Sequence, residues 1–343
     1  HLTRLTLALD VMGGDIGPRI TIPASLLALE KDPMLSLFLF GDSQQIAHLL
    51  KNCPKTLLER IQIQHCSRTI DNNYGISHAL RHSKGTSMRL ALEAVKLGAA
   101  QGCVSAGNTG ALMGLSKILL QPLKGIARPA LVSLLPTIDG EKSVMLDLGA
   151  NVECSAENLY QFAIMGAIFA ENRLNLVYPR VALLNIGIEE IKGRQSIRDA
   201  ANLLEKSSLL NYIGFIEGDM LLNGKTDVIV SDGFAGNIAL KTLEGAAKNV
   251  LSLFKGKETS SRSRYFKPIF AKIMRHLFKT TYQRLKRINP DEYNGASLIG
   301  LTAVVVKSHG SANVNAFAHA IADAAFQARQ RLPEKILAGL ARY

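Results

Sequence analysis

Short apolar runs rich in β-branched residues alternate with helical stretches along almost the whole chain, and this alternation limits the possible folds more than any other feature. The runs are LTLALD (5–10), LSLFLFG (35–41), IQIQHC (61–66), CVSA (103–106), ALVSLL (130–135), SVMLDLG (143–149), VALLNIG (181–187), IGFIEG (213–218), DVIVSD (227–232) and LTAVVV (301–306). Between them lie helical stretches such as PASLLALEK, SMRLALEAVKLGAA and NIALKTLEGAAKNVLSLF. Strands that are apolar throughout are buried on both faces, and parallel strands need crossover helices to bring the chain back. The expected fold class is therefore α/β, a three-layer α/β/α arrangement with a mainly parallel sheet. No Pro/Gly/Ser-rich linker and no repeat divides the 343 residues, so 1–343 reads as a single α/β unit, in one lobe or two.

The residues that follow the strands carry the functional signal. DVMGGDIGP, SAGNTGALMG, DLGANVE, NIGIEEIKG and SDGFAGN each place Gly with Asn, Asp or Ser where a strand gives way to a helix. Ligands of open α/β sheets bind at the carboxyl ends of strands, and helix N-termini offer free N–H groups to anions. One such loop is an ordinary tight turn. Five in one chain point to a shared cleft lined with amides and small polar groups.

Several named chemistries are excluded. No G-x-G occurs, which removes the dinucleotide fingerprint, and GDMLLNGKT (218–226) has the wrong glycine spacing for a P-loop. There is no G-x-S-x-G elbow. His78 and His82 sit one helical turn apart without nearby carboxylate or thiol ligands of suitable spacing, so they read as a solvated face and no metal site is expected. His65 and Cys66 are adjacent on a strand and point to opposite faces, so they cannot form a dyad. Cys154 can face the cleft, but nothing nearby marks it as an activated thiolate. The four cysteines lie far apart and read as free thiols of a reducing cytosol. No stretch reads as a signal peptide or a membrane span. Aromatics make up only 6% with no Trp, which argues against a nucleic-acid stacking platform.

Charge is concentrated in one place. Of the net +12, +10 falls between Lys255 and Arg287, where apolar residues also recur at helical spacing. The stretch 238–288 thus reads as a projecting, basic amphipathic helical segment. A helix that only packs on a core gains nothing from such charge, so a negatively charged partner is expected there.

The motifs LALDVMGGDIGP, SMRLALEAVK, VSAGNTGALMG, MLDLGANVE, LLNIGIEEIKG, VSDGFAGNIALKTLEG, YNGASLIGL and VVVKSHGSA run in order from Leu7 to about Ala312. In this set the chain resembles the PlsX family, the acyl-carrier-protein:phosphate acyltransferases of bacterial phospholipid synthesis. One departure is visible, since the family usually carries a third acid where Ile188 stands. The resemblance implies a fold like isocitrate and isopropylmalate dehydrogenases and phosphotransacetylase, and a homodimer. It also implies transfer of a long acyl chain from acyl carrier protein to inorganic phosphate, giving acyl phosphate without a cofactor. The location implied is cytoplasmic, with peripheral association to an anionic membrane. An NAD-dependent hydroxyacid dehydrogenase is the rival reading, because GDIGP resembles that superfamily's early loop. Against it stands the lack of the Asp cluster those enzymes use for a divalent metal.

The direct chemistry agrees with the loops. Phosphate is already a nucleophile and needs positioning beside a thioester carbonyl, not a covalent enzyme intermediate. On this reading Lys192 of EEIKG stabilises phosphate or the oxyanion, and Asn237 of DGFAGN orients carbonyl or phosphate while also serving as a helix N-cap. Asp10 and Asp15 are expected to brace the first loop, whose Gly13, Gly14 and Gly17 present amides. Ser105, Asn108, Thr109, Asn151, Asp232 and His309 complete the candidate substrate site. Arg262, Arg264, Lys267, Lys272, Arg275 and Lys279 form the candidate surface for membrane or carrier protein.

Overall fold

The computed structural model describes residues 4–71, 73–255 and 295–342. The basic stretch, with Arg262, Arg264, Lys267, Lys272, Arg275 and Lys279, lies outside the described residues.

The described strands are β1 (Leu5–Asp10), β2 (Leu35–Gly41), β3 (Ile61–His65), β4 (Gly102–Ser105), β5 (Ala130–Pro136), β6 (Lys142–Leu146), β7 (Arg180–Leu184), β8 (Asn211–Ile216), β9 (Val228–Val230), β10 (Ala296–Ile299) and β11 (Val304–Lys307). They form one 11-stranded sheet in the order β3-β2-β1-β4-β11-β10-β5-β6-β9-β7-β8. Strands β3, β2, β1, β4 and β11 are mutually parallel, and so are β6, β9, β7 and β8. Between these groups, β10 is antiparallel to both β11 and β5, and β5 is antiparallel to β6. The two parallel groups therefore run in opposite senses.

Helices cover both faces, as the apolar strands require. On one face α1 (Pro18–Lys31) packs with the helix Val314–Arg329, and their core includes Leu7, Leu9, Val104, Val306 and Phe317. The same face of the other group carries α7 (Ala156–Leu174), with Phe162 and Phe169 over Val144, Val181 and Val228. Gly166 lets α7 come close, since a Cβ there would lie 2.6 Å from a Val228 methyl. The opposite face carries, among others, α5 (Ser87–Lys96), α6 (Thr109–Leu119) and α9 (Gly233–Lys255), over Ala8, Cys103, Leu131, Met145 and Val305. Each fully buried Leu, Val, Ile or Phe contributes about 1.5–3 kcal/mol relative to exposure. The three-layer α/β/α expectation holds.

Two differences from the sequence expectation concern the centre of the sheet. The strand expected at 301–306 lies at Val304–Lys307, and ASLI (296–299) forms β10, which its short length had concealed. The turn between them is fixed by Gly300 (φ +91°) and by hydrogen bonds of Leu123 to the Gly300 carbonyl and of Thr302 to the Gln121 carbonyl. Helix starts follow their capping residues: Asn108 accepts from the Ala111 N–H at 2.9 Å, and Ser155 forms a capping box with Asn158.

Candidate active site

The last residues of β1, β4 and β11 stand side by side, Asp10 opposite Ser105 and Ser105 opposite Lys307. Leu9, Val104 and Val306 pack in the α1 layer, so strand alternation sends Asp10, Ser105 and Lys307 to the α5/α6/α9 face. Asp10 is buried and accepts from Ser87 Oγ (2.7 Å), Ser105 Oγ (2.7 Å) and the Gly13 N–H (3.2 Å). Burial pushes its carboxyl above the usual range despite these bonds. The bond from Gly13 ties Asp10 to the first loop. The Asp15 N–H donates to the Gly310 carbonyl at 2.9 Å, which ties the Gly13, Gly14 and Gly17 loop to the segment after β11.

A cavity of about 450 Å³ lies on this face, where the two parallel groups meet. Its apolar wall comes from Met113, Leu131, Leu135, Leu222, Leu240 and Leu243. Thr109, Asn237, Lys307, Ser308 and His309 supply polar groups. Among the residues singled out from the sequence, the structure thus brings Thr109, Asn237 and His309 into one cavity. His309 Nδ1 lies 2.7 Å from Ser311 Oγ, and burial followed by the Lys241 charge lowers its imidazole below the ordinary value.

The other polar cluster follows β6, β9 and β7. Asp147 is fully buried and accepts from the N–H groups of Leu131 (2.9 Å), Ala150 (3.0 Å) and Asn151 (2.7 Å), and from Asn151 Nδ2 (3.1 Å). Asn151 Nδ2 also donates to the Pro129 carbonyl at 2.8 Å, so this amide holds the loop together. Asp232 caps α9 through the Ala235 N–H (2.8 Å) and pairs with Arg194 at 3.0 Å. Asn237 is therefore not the cap but stands inside the first turns of the helix, beside Gly149. Its amide makes no hydrogen bond among the described residues. Gly236 permits this close approach, because a Cβ there would lie 2.0 Å from the Asp147 carbonyl oxygen.

Lys192 does not line the cavity. It sits half-exposed in an ion pair with Glu189 at 3.0 Å, and its carbonyl is held by Asn185 Nδ2 at 3.0 Å. The Lys192 hydrogen bond holds the Glu189 carboxyl below the usual range. The Arg194–Asp232 pair joins this loop to the start of α9.

Lys307, Ser308 and Asp147 were missed by sequence reasoning, although their motifs were recognised. A lysine at the end of VVVK, in the same strand phase as buried Val305, was the available signal for Lys307. Burial pushes the Cys66 thiol up to about 11 and the Cys154 thiol up to about 12, which disfavours the thiolate at both. Among the described residues no group of three or more His, Cys, Asp or Glu could hold a metal ion.

The family described as "Fatty acid synthesis protein" matches residues 5–335. The chain is 76% identical over 342 residues to "Phosphate acyltransferase" of Pasteurella multocida, with the full length of both covered. It is 74% identical over 339 residues to "Phosphate acyltransferase" of Mannheimia succiniciproducens, covering 99% of each. The chain belongs to this family. It is an acyltransferase, and the resemblance read from the eight motifs holds over the whole family unit. The fold is also that of a phosphotransacetylase from Streptococcus pyogenes (TM-score 0.60, 16% identity, 95% of this chain and 94% of that one). A branched-chain phosphotransacylase from Enterococcus faecalis is similar as well (TM-score 0.57, 15% identity, 94% and 99%).

Proposed function

We propose that the chain transfers a long acyl group from acyl carrier protein to inorganic phosphate, releasing acyl phosphate and the carrier thiol. The observation that carries this reading is a cavity with a leucine-rich wall and polar groups from Thr109, Asn237 and the Lys307–His309 segment. An acyl chain fits the wall, and its thioester lies among the polar groups. A phosphate oxygen attacks the carbonyl carbon and the C–S bond breaks. The sulfur leaves as a thiolate, which takes its proton from water, because a thiol of pKa near 8.5 needs little acid help. Asn237 donates to the carbonyl oxygen as negative charge develops. Lys192 stabilises phosphate or the oxyanion, after exchanging Glu189 for an anionic oxygen.

Purified chain, acyl-loaded carrier protein and labelled phosphate should give a labelled acyl phosphate. Carrier thiol released at the same rate with and without phosphate would sink the proposal. Lys192→Ala is expected to lower kcat about tenfold, the modest effect of a half-exposed, solvent-screened cation. An unchanged kcat in the folded variant removes Lys192 from the reaction.

The proposal extends to a homodimer in the cytoplasm that touches the anionic membrane through its basic segment. Among the described residues no helix is long and apolar enough to cross a membrane. Each Lys or Arg near an anionic surface contributes on the order of 1 kcal/mol. Reversing Arg262, Arg264 and Lys267 to Glu should abolish sedimentation with anionic vesicles, and salt should weaken the wild-type binding. Binding that survives both changes would overturn the electrostatic reading. A raised KM for carrier protein with normal vesicle binding would make the segment a docking surface for the carrier.

A further inference from the structure

We propose that Lys307 and Ser308, at the carboxyl end of β11, hold the phosphate nucleophile in the cavity. This inference rests on the reading of the chain as an acyltransferase to phosphate and assigns that substrate a place. Two independent observations support it. Lys307 ends the row Asp10, Ser105, Lys307 across three parallel strands and is a buried lysine lining the cavity. Ser308 is fully buried, and its Oγ has no hydrogen-bond partner among the described residues.

An orphaned hydroxyl and a buried ammonium on adjacent residues are costly to the fold unless a ligand completes them. The Lys307 Nζ donates to the Ser308 carbonyl and has two more protons to give. Asp10 does not neutralise it by contact, because that carboxylate is engaged by Ser87, Ser105 and Gly13. The charges facing Lys307 are Asp10 and Asp15 from the first strand and loop, and Lys241 from α9. Neighbouring His309 is faced in turn by Lys241, Glu244, Lys307 and Lys248. Burial, followed by Lys241, lowers Lys307 to about 8 against the pull of Asp15 and Asp10. The ammonium is the form that binds an anion. Phosphate affinity should therefore fall as pH rises through about 8, and a bound anion shifts the loss toward higher pH.

The test measures binding of labelled inorganic phosphate to the purified full chain by equilibrium dialysis, together with the KM for phosphate. Lys307→Met should raise both constants roughly 10- to 100-fold, as expected for loss of a charge-assisted hydrogen bond. Ser308→Ala should raise them about fivefold, the size of a neutral hydrogen bond. Lys307→Arg should bind phosphate without the alkaline loss, because guanidinium stays charged. That variant decides the matter if Lys307→Met does not fold. Wild-type phosphate affinity in folded Lys307→Met, or an unchanged alkaline loss in Lys307→Arg, overturns the inference. If wild type transfers acyl groups while these variants keep normal phosphate constants, this inference alone fails. If wild type binds phosphate through Lys307 but transfers no acyl group, the proposed function fails and the phosphate site stands.

Discussion

Asn237→Ala is expected to cut turnover about 100- to 1000-fold, the loss seen when a single oxyanion donor is removed. The structure gives this side chain unusual freedom for the role. Asp232 has taken over the capping of α9, so the Asn237 amide has no structural duty among the described residues. It nevertheless stands at the cavity beside Gly149, held there by the first turns of a helix. A helix interior tolerates alanine well, so the unfolding free energy should stay within about 0.5 kcal/mol of wild type. Steady-state kinetics beside urea denaturation separates the two effects. Near-normal kcat in a stable variant would show that the carbonyl oxygen is held by other donors. Asn237→Asp sharpens the measurement, since it keeps the size and replaces a donor with a negative charge facing the developing oxyanion. It should be at least as slow as Asn237→Ala.

Asp147→Ala is expected to be the most destabilising change near the site, at roughly 3–5 kcal/mol. The carboxylate collects the Leu131, Ala150 and Asn151 N–H groups as well as the Asn151 amide, all beside a fully buried side chain. Its loss leaves backbone donors without acceptors, each costing about 1–3 kcal/mol where water cannot reach them. The loop carrying Gly149 would then shift against α9, so activity should fall with stability. Asp147→Asn keeps one oxygen acceptor and should lose about half as much as the alanine variant. Urea midpoints at constant m report the difference. A loss below about 1 kcal/mol for Asp147→Ala would mean that water or a relaxed loop satisfies those donors.

Much of this arrangement was legible in the sequence because it follows from local rules. Apolar runs such as LTLALD and VALLNIG announce buried parallel strands, whereas the cap of α9, read at Asn237, is supplied by Asp232. What escaped depended on pairing between distant segments. ASLI carries too little pattern to read as a strand, and becomes one because β5 and β11 offer it partners on both sides. Asn151 reads as a free donor beside its glycine, yet its amide is spent on Pro129 and Asp147. Lys192 reads as a loop cation, and its local partner Glu189 lies only three residues away. Lys307 was hidden for the opposite reason. A lysine at a strand end looks like a solvated terminus until the register sets it beside Ser105 and under α9.

Among the described strands, the hairpin of β10 and β11 links β4 to β5 in the sheet, and hence the two oppositely running halves. Its residues, 296–307, come late in the chain but occupy the middle of the sheet. During synthesis, β4 and β5 therefore emerge as open edges, each a template for wrong pairing, and stay so while more than a hundred further residues are made. The protein closes like an arch whose central stone is set last. Because Lys307 ends that hairpin, the cavity acquires this lysine in the same step that joins the halves.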